Sequence, residues 1–218
     1  MDIEQARFNM VEQQIRPWEV VDQKVLDLIT NTPREEFVSD QYQDLAFSDT
    51  NIPLGHNQVM MTPKLEARML QALEIQSDEE ILEIGTGSGY VTALLSQLGR
   101  HVTSEEIYAD FTSKAAEQLK AINLSDNVTL NVTDSTKKRE FYNRYDVIVV
   151  TGSTPQYDPI FQEQLSIGGR LFIIVGESPV MEALLIERLS EHEWKKQVLL
   201  ETNLPALLGT NVPDKFVF

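Results

Sequence analysis

The spacing of hydrophobic positions changes once along the chain. In residues 1–77, apolar side chains recur at intervals of three and four between polar loops, which is typical of helices. From residue 78 onward, short apolar runs alternate with helical patterns. That alternation indicates an α/β fold with a doubly wound, mostly parallel sheet. We therefore expect residues 78–218 to form the core and residues 1–77 to form a helical and loop region that packs on it.

Three helices are predicted in the first region. Residues 6–16 and 20–30 have helical spacing, and a third helix begins at Pro63 with Thr62 in the N-cap position. Residues 33–57 are polar with scattered aromatic side chains and show no clean period. No regular element is predicted in that segment.

The second region contains strands separated by helices. Residues 147–150 are continuously apolar, which is typical of a central strand buried on both faces. Gly168 and Gly169 are expected to turn the chain into the strand that follows them. The predicted strands are residues 80–84, 101–105, 128–132, 145–151, 170–175, 195–201 and 215–218, and the predicted helices are residues 91–98, 108–122, 159–165 and 181–189.

A glycine-rich turn follows the first of these strands. Gly85, Gly87 and Gly89 have the spacing G-x-G-x-G, which differs from the G-x-G-x-x-G of pyrophosphate-binding dehydrogenases. Glu105 ends the next strand 20 residues after Gly85, about the distance from a nucleotide-binding turn to a ribose-binding carboxylate. S-adenosylmethionine has a ribose but no pyrophosphate. The pattern therefore indicates a site for that methyl donor, and the alternative is a tight turn without a ligand.

Three further acids lie near the predicted site. Glu106 competes with Glu105 for the ribose, and although alternation places the two on opposite sides of the strand, the strand-end position favours Glu105. Asp134 follows the third strand and either binds the adenine amino group or caps a turn. Glu83 precedes the glycines and is expected to orient the turn or the methionine amine, because a carboxylate within a strand needs a partner.

The chain leaves the central strand at Thr151, which is expected to line the site of methyl transfer; the alternative is a loop rich in turn formers. His56 is a lone histidine in a polar loop, for which we expect a structural role and no metal site. The residues predicted to bind the cofactor are Glu83, Gly85, Thr86, Gly87, Ser88, Gly89, Glu105, Asp134 and Thr151.

Composition restricts the function classes. The 218 residues are enough for one well-buried domain, and 18 basic against 34 acidic residues give a net charge of −16. Such a charge repels polyanions, so we expect no nucleic-acid partner. The absence of cysteine excludes disulfides, thiolate catalysis and cysteine-bound metal. A signal-peptide pattern and an apolar run of roughly 18 residues are both absent, so we expect a cytoplasmic protein without a membrane partner.

Short motifs are spread over nearly the whole chain: MVEQQI at residues 10–15, PREEFV at 33–38, LGHNQ at 54–58, LEIGTGSGY at 82–90, VT at 150–151, GGRL at 168–171 and LPALLG at 204–209. Together they resemble the protein-L-isoaspartate O-methyltransferase family, and the first 60 residues distinguish it from other methyltransferases. The resemblance implies a class I methyltransferase with a seven-stranded Rossmann-like sheet. It also implies transfer of a methyl group from S-adenosylmethionine to the carboxylate of isoaspartyl residues in damaged proteins, with S-adenosylhomocysteine as product.

One position departs from that family's pattern. After the glutamine the family usually reads Thr-Ile-Ser-x-Pro, and that serine is its active-site hydroxyl. Here residues 58–63 read QVMMTP, so Met61 takes the serine position. The nearest hydroxyl belongs to Thr62, which is either a catalytic substitute or only a helix N-cap. Met61 cannot hydrogen-bond a carboxylate usefully, and the methionine pair suggests an apolar pocket. The candidate catalytic residues are therefore Thr62 and Met61.

Three functions stay open at this point. The first is the isoaspartyl methyltransferase, acting on an isoaspartyl-containing protein or peptide. The second is a related methyltransferase with a small or more apolar acceptor molecule, and the third is a binding module that retains the donor and transfers nothing. For transfer to a carboxylate we expect an in-line displacement that rests mainly on proximity and alignment.

Overall fold

A seven-stranded sheet forms the centre of the protein, whose computed structural model describes residues 2–137 and 144–210. In spatial order the strands are β5 (Val128–Val132), β4 (His101–Glu106), β3 (Glu80–Ile84), β6 (Tyr145–Thr154), β7 (Leu165–Glu177), β8 (Val180–Arg188) and β9 (Trp194–Thr202). The pairs from β5 to β7 are parallel, and the pairs β7–β8 and β8–β9 are antiparallel. Ahead of the sheet, β1 (Ile52–Gly55) and β2 (Gln58–Met60) form a separate antiparallel hairpin.

Among the described residues, all five α-helices lie before residue 122. The helices are α1 (Ile3–Met10), α2 (Gln23–Asn31), α3 (Pro63–Leu73), α4 (Tyr90–Ser96) and α5 (Ala109–Ala121). After α1 the chain continues through a π-helical turn, Val11–Ile15, and a 3₁₀ turn, Arg16–Trp18. Within the described ranges, no helix combines the length and apolar character needed to cross a membrane.

Alternation along the central strands divides the core between the two faces of the sheet. Leu82 and Ile148 belong to one apolar cluster, and their neighbours Ile81 and Val147 belong to the other. The larger cluster also takes in residues of α2 to α5, together with the N-terminal turns, so the N-terminal region packs against this face. The smaller cluster is completed by side chains around the short 3₁₀ turn Gln162–Gln164.

The strand order reverses direction at β3. Chain segments that follow β3 first build outward through β4 and β5, and then return to the other side of β3 as β6. In open α/β sheets such a reversal leaves a crevice at the carboxyl ends of the two central strands, where ligands bind. The expected mostly parallel, seven-stranded Rossmann-like sheet with an N-terminal helical extension is confirmed.

The clearest error in the predicted elements is at residues 181–189, which are not a helix but form β8. Alanine, leucine, glutamate and arginine favour helix, yet the segment pairs along its length with β7 on one side and β9 on the other. The predicted helix 159–165 shrinks to the 3₁₀ turn, and Gly168 and Gly169 lie inside β7. The predicted strand 215–218 lies outside the described residues.

Candidate active site

An open cavity, with about 620 Å³ of space when the solvent at its mouth is included, lies at the reversal point of the sheet. Its base is the glycine turn after β3, with the end of β4 and the exit of β6 beside it. The β1–β2 hairpin and the start of α3 supply the opposite wall. Of the predicted site residues, Gly85, Thr86, Gly87, Ser88, Thr151 and Met61 line it.

The glycine turn is held closely against β6. Gly85 has φ +96°, and a Cβ on it would collide with the Thr151 hydroxyl. That hydroxyl lies 2.5 Å from the carbonyl oxygen of Gly85 and 3.0 Å from that of Ile84, as hydrogen-bond donor to both. On the other side, the Gly85 N–H donates to the carbonyl oxygen of Glu105 at 2.8 Å. The turn is therefore fixed by the two strands that flank β3.

Of the two adjacent acids at the end of β4, Glu106 faces the cavity and the side chain of Glu105 is directed elsewhere. Glu106 lies on the buried side of β4 and lines the cavity; its oxygens accept from the N–H groups of Gly87 and Tyr108, both at 3.0 Å. Glu105 instead accepts from the Ser135 hydroxyl at 2.6 Å and is not part of the lining. Strand-end position favours Glu105 in the sequence. In the folded sheet, the alternation of side chains along β4 decides which acid faces the turn, and it selects Glu106.

Glu83 is buried beneath the glycine turn and does not reach the cavity. Its Oε2 accepts from the hydroxyls of Thr92 at 2.5 Å and Ser104 at 2.6 Å, and Ser104 in turn lies 2.6 Å from the Thr86 hydroxyl. Burial raises the pKa of Glu83 to about 8 despite these hydrogen bonds. The geometry thus links Glu83 to the turn through Ser104, which favours the turn-orienting role over contact with a donor amine.

The buried Glu83 makes stability depend on pH. Because its folded-state pKa is raised above the ordinary value of about 4.3, the stability from the neutral form is present at acid pH and lost as pH rises toward about 8. We expect Glu83→Gln to reduce the fall in unfolding free energy between pH 5 and 8.5 by on the order of 3 kcal/mol. Urea unfolding at several pH values measures this. The exposed Glu117→Gln is the control, and an equal pH slope in all three proteins would contradict the prediction.

Met60, Met61 and Glu66 form the wall of the cavity next to α3. Both methionine side chains are buried, in agreement with the apolar pocket suggested by the methionine pair. Thr62 stands in the N-cap position of α3, where its carbonyl oxygen accepts from the N–H of Glu66 at 3.2 Å, but its hydroxyl makes no capping hydrogen bond. Thr62 is not part of the lining, so its catalytic role stays a prediction without support from the geometry.

Glu66 and its partner Arg34 were not identified from the sequence. Arg34 forms a buried ion pair with Glu66, with the two side chains 1% and 2% exposed. A signal for Glu66 was available, because it occupies a position on the apolar face of α3 that continues at Met69, Leu70 and Leu73. A lone acid at such a position is seldom buried without a partner. The partner, 32 positions away, carries no such signal.

Two remaining candidates lie beside the cavity. His56, at the tip of the β1–β2 hairpin, stacks on Tyr108 at 3.9 Å between ring centroids and bonds Asp110 at 3.2 Å. These contacts dock the hairpin on the start of α5 and agree with a structural role for His56. Asp134 accepts from Thr136 and pairs with Lys137 outside the cavity lining. Its adenine contact stays a prediction.

Gly89, the last glycine of the turn, serves the packing of helices. It is the N-cap of α4 at φ +85°, and a Cβ there would lie 2.8 Å from that of Ala115 on α5. Gly89 is not among the residues that line the cavity. Its need for glycine comes from the left-handed φ and from the approach of α5, and its contact with the donor stays a prediction.

The comparisons with known proteins point in one direction. A family model described as protein-L-isoaspartate(D-aspartate) O-methyltransferase matches residues 5–207. The chain is 36% identical over 201 residues to the protein-L-isoaspartate O-methyltransferase of Rhodopseudomonas palustris, with 92% of each protein covered. It is 35% identical over 208 residues to that of Syntrophus aciditrophicus, with 94% of this chain and 95% of the relative covered.

A solved structure supports the fold independently. A Plasmodium falciparum protein assigned to the same kind of methyltransferase, solved in complex with S-adenosyl-L-homocysteine, matches with a TM-score of 0.80. The match covers 95% of this chain and 98% of that one at 17% identity. At this identity the likeness concerns the fold alone, and it agrees with the sheet described above.

Proposed function

The chain belongs to the protein-L-isoaspartate(D-aspartate) O-methyltransferase family, and from this premise we propose that it methylates the carboxylate of isoaspartyl residues in damaged proteins, with S-adenosylmethionine as donor. The observation that carries the proposal is the cavity at the sheet reversal, with the glycine turn on one side and the buried Glu106 beside it. A cytoplasmic location stays a prediction.

The residues around the cavity fit the donor chemically. Glu106 accepts from the N–H of Gly87, so an acid is held at the turn where ribose hydroxyls would need an acceptor. Ile107, Val91 and Leu207 contribute apolar surface suited to an adenine ring. The carboxyl group of Glu106 lines the cavity, and a negative charge at this position suits a cationic sulfonium. We assign the ribose contact to Glu106, and we place the amino-acid end of the donor against the turn at Gly85.

In the proposed mechanism, the protein holds the methyl donor and the acceptor and orients them for transfer. S-adenosylmethionine supplies a methyl group on a positively charged sulfur: the acceptor oxygen forms the new O–CH₃ bond, and the S–CH₃ electron pair returns to sulfur. A carboxylate acceptor is already ionised and needs no base. The role of the chain is therefore alignment, to which the rigid glycine turn and the buried wall of Met60 and Met61 contribute. Alignment of this kind is worth up to roughly 7–11 kcal/mol.

The first test is methyl transfer from labelled S-adenosylmethionine to an isoaspartyl peptide. We expect base-labile methyl ester on that peptide and at least about a hundredfold less on the matched aspartyl peptide, since a misplacement of about 1 Å costs around that factor. Donor binding is measured in parallel by calorimetry. Donor binding without transfer to either peptide would contradict the isoaspartyl acceptor. The buried methionine wall would then favour a smaller or more apolar acceptor, tested by donor turnover with a metabolite mixture.

A further inference from the structure

Glu66 is the polar residue in the methionine wall of the cavity. Its side chain lies on the first turn of α3 and is almost fully buried, and it lines the cavity together with Met60 and Met61. The thioether side chains of the two methionines offer no hydrogen-bond donor. Two side chains with hydrogen-bonding capacity line this end of the cavity, Glu66 and Gln58 of β2, and the Gln58 amide donates to the carbonyl oxygen of Ala206 at 3.5 Å.

The two carboxyl oxygens of Glu66 have different surroundings. Oε2 accepts from the Arg34 guanidinium. Oε1 is closed to bulk solvent and has no hydrogen-bond partner among the described residues. A buried polar atom without a partner costs free energy, and such atoms in native structures call for an explanation. Oε1 of Glu83 is likewise unmatched, but Glu83 does not line the cavity, whereas Glu66 does, so its oxygen is available to a ligand group.

Arg34 is buried and is not part of the cavity lining, so it does not meet the acceptor directly. Its Nε donates to the carbonyl oxygen of Ala46 at 2.8 Å, and one terminal nitrogen donates to that of Met61 at 2.6 Å. The other terminal nitrogen is paired with Glu66, and the guanidinium lies 4.8 Å from the centre of the Tyr90 ring. With all three nitrogens engaged, Arg34 holds Glu66 and the Met61 backbone in place, and the free oxygen of Glu66 is left for the acceptor.

The charges around Glu66 allow it to carry a proton near neutral pH. Burial raises its pKa to about 7, although Arg34 opposes this shift. Tyr90, packed against Arg34 from α4, is neutral because burial raises its pKa above the usual range. Glu106, from β4, is the other carboxyl group in the cavity lining. A carboxylate ligand next to Glu66 would raise this pKa further, since two neighbouring carboxylates resist double ionisation.

We propose that Glu66 binds the methyl acceptor through Oε1, which carries a proton and donates a hydrogen bond to the acceptor carboxylate, while Oε2 continues to accept from Arg34. The proposal rests on the proposed function and names the residue that selects a carboxylate beside Met60 and Met61. A carboxylic acid kept neutral by its apolar surroundings so that it can donate a hydrogen bond is an established arrangement in enzymes. Ionised Glu66 would repel the same acceptor.

The first experiment uses the unmodified protein. An acetylated isoaspartyl peptide without histidine is titrated between pH 6 and 9, a range in which its own carboxylate stays ionised. We expect its KM, or its Kd in the presence of S-adenosylhomocysteine, to rise by up to about tenfold per pH unit above pH 7, with proton uptake on binding. The Kd of S-adenosylhomocysteine serves as the internal control and should change less than about threefold. A pH-independent peptide affinity without proton uptake would overturn the proposal.

Two substitutions separate hydrogen bonding from structural support. In Glu66→Gln the amide N–H replaces the O–H and the amide oxygen still accepts from Arg34, so we expect an acceptor KM within about threefold of the unmodified protein at pH 6.5 and no rise above pH 7. In Glu66→Leu the KM should rise at least about tenfold at every pH, with donor affinity retained. Equal losses in both variants would overturn the proposal, and if either fails to fold, the pH titration still decides it.

The direct binding measurement distinguishes this inference from the proposed function. A peptide that binds with proton uptake but is not methylated contradicts the methyl transfer and leaves the Glu66 contact supported. A peptide that is methylated with a flat pH profile overturns the Glu66 contact alone. A peptide that binds at no pH overturns both.

Discussion

Replacement of Arg34 by leucine is expected to lower the free energy of unfolding by about 3–5 kcal/mol, because it removes one partner of a buried ion pair. Glu66 would keep its buried carboxyl group without a counter-charge, and the carbonyl oxygens of Ala46 and Met61 would each lose a donor. The contact with the Tyr90 ring would also be lost. Through these contacts Arg34 links the N-terminal segment to α3 and α4. Urea unfolding followed by circular dichroism at pH 7.5 measures the effect.

Arg100→Ala is the matched control for that experiment. Arg100 also pairs with a glutamate, Glu80, at 2.6 Å, but the guanidinium side chain is 63% exposed. Surface pairs of this kind contribute about 0–1 kcal/mol. Similar losses of unfolding free energy in the two variants would show that the burial of Arg34 is not the cause of its contribution to stability. A double variant, Arg34→Leu with Glu66→Leu, should recover part of the loss, since no unpaired charge then remains.

Replacement of Glu106 by alanine is expected to weaken donor binding by about 1.5–3 kcal/mol, or roughly 10- to 150-fold in Kd, as for the loss of hydrogen bonds to a charged group. The side chain lines the cavity and also holds the backbone N–H groups of Gly87 and Tyr108. Glu106→Gln keeps an oxygen for one of these bonds and should lose less. Calorimetric titration with S-adenosylhomocysteine gives the affinities.

Glu105→Ala is the control for Glu106. The Glu105 carboxylate accepts from Ser135 away from the cavity, so we expect a change in donor affinity below about 0.5 kcal/mol. The opposite result, with affinity lost on replacement of Glu105 and kept on replacement of Glu106, would return the ribose contact to the residue that strand-end position favoured. It would also require a different rotation of the end of β4 when donor is bound.

Local pattern was sufficient for three of the parallel strands, β3, β4 and β5. The strands predicted at residues 80–84 and 128–132 have those limits in the structure, and β4 extends the predicted one by a single residue. These segments are short apolar or alternating runs bounded by turn residues, and their environment agrees with their intrinsic preference. The helix that begins at Pro63 after Thr62 was likewise predicted from residues whose backbone preference sets a helix start.

The hydrophobic pattern predicted the wrong element where pairing with neighbouring strands decides the secondary structure. Residues 180–188 contain strong helix formers, but they follow β7 after a two-residue turn and pair with it in antiparallel register. Hydrogen bonds to two neighbouring strands outweigh a helix preference of a few tenths of a kcal/mol per residue. The same limit applied to Glu105 and Glu106, because which of two adjacent acids faces a cavity depends on the side of the strand that the core covers.

By itself the sequence determined the class of sheet, the position of the glycine turn and the family, because these depend on local spacing and on motifs spread along the chain. It also located the departure at Met61. Only the tertiary structure decided which carboxyl groups stand at the cavity. Glu106 is selected by the alternation of β4 within the folded sheet. Glu66 is held by Arg34, a residue 32 positions away, and pairing at that separation arises from the packing of the folded chain and has no trace in local pattern.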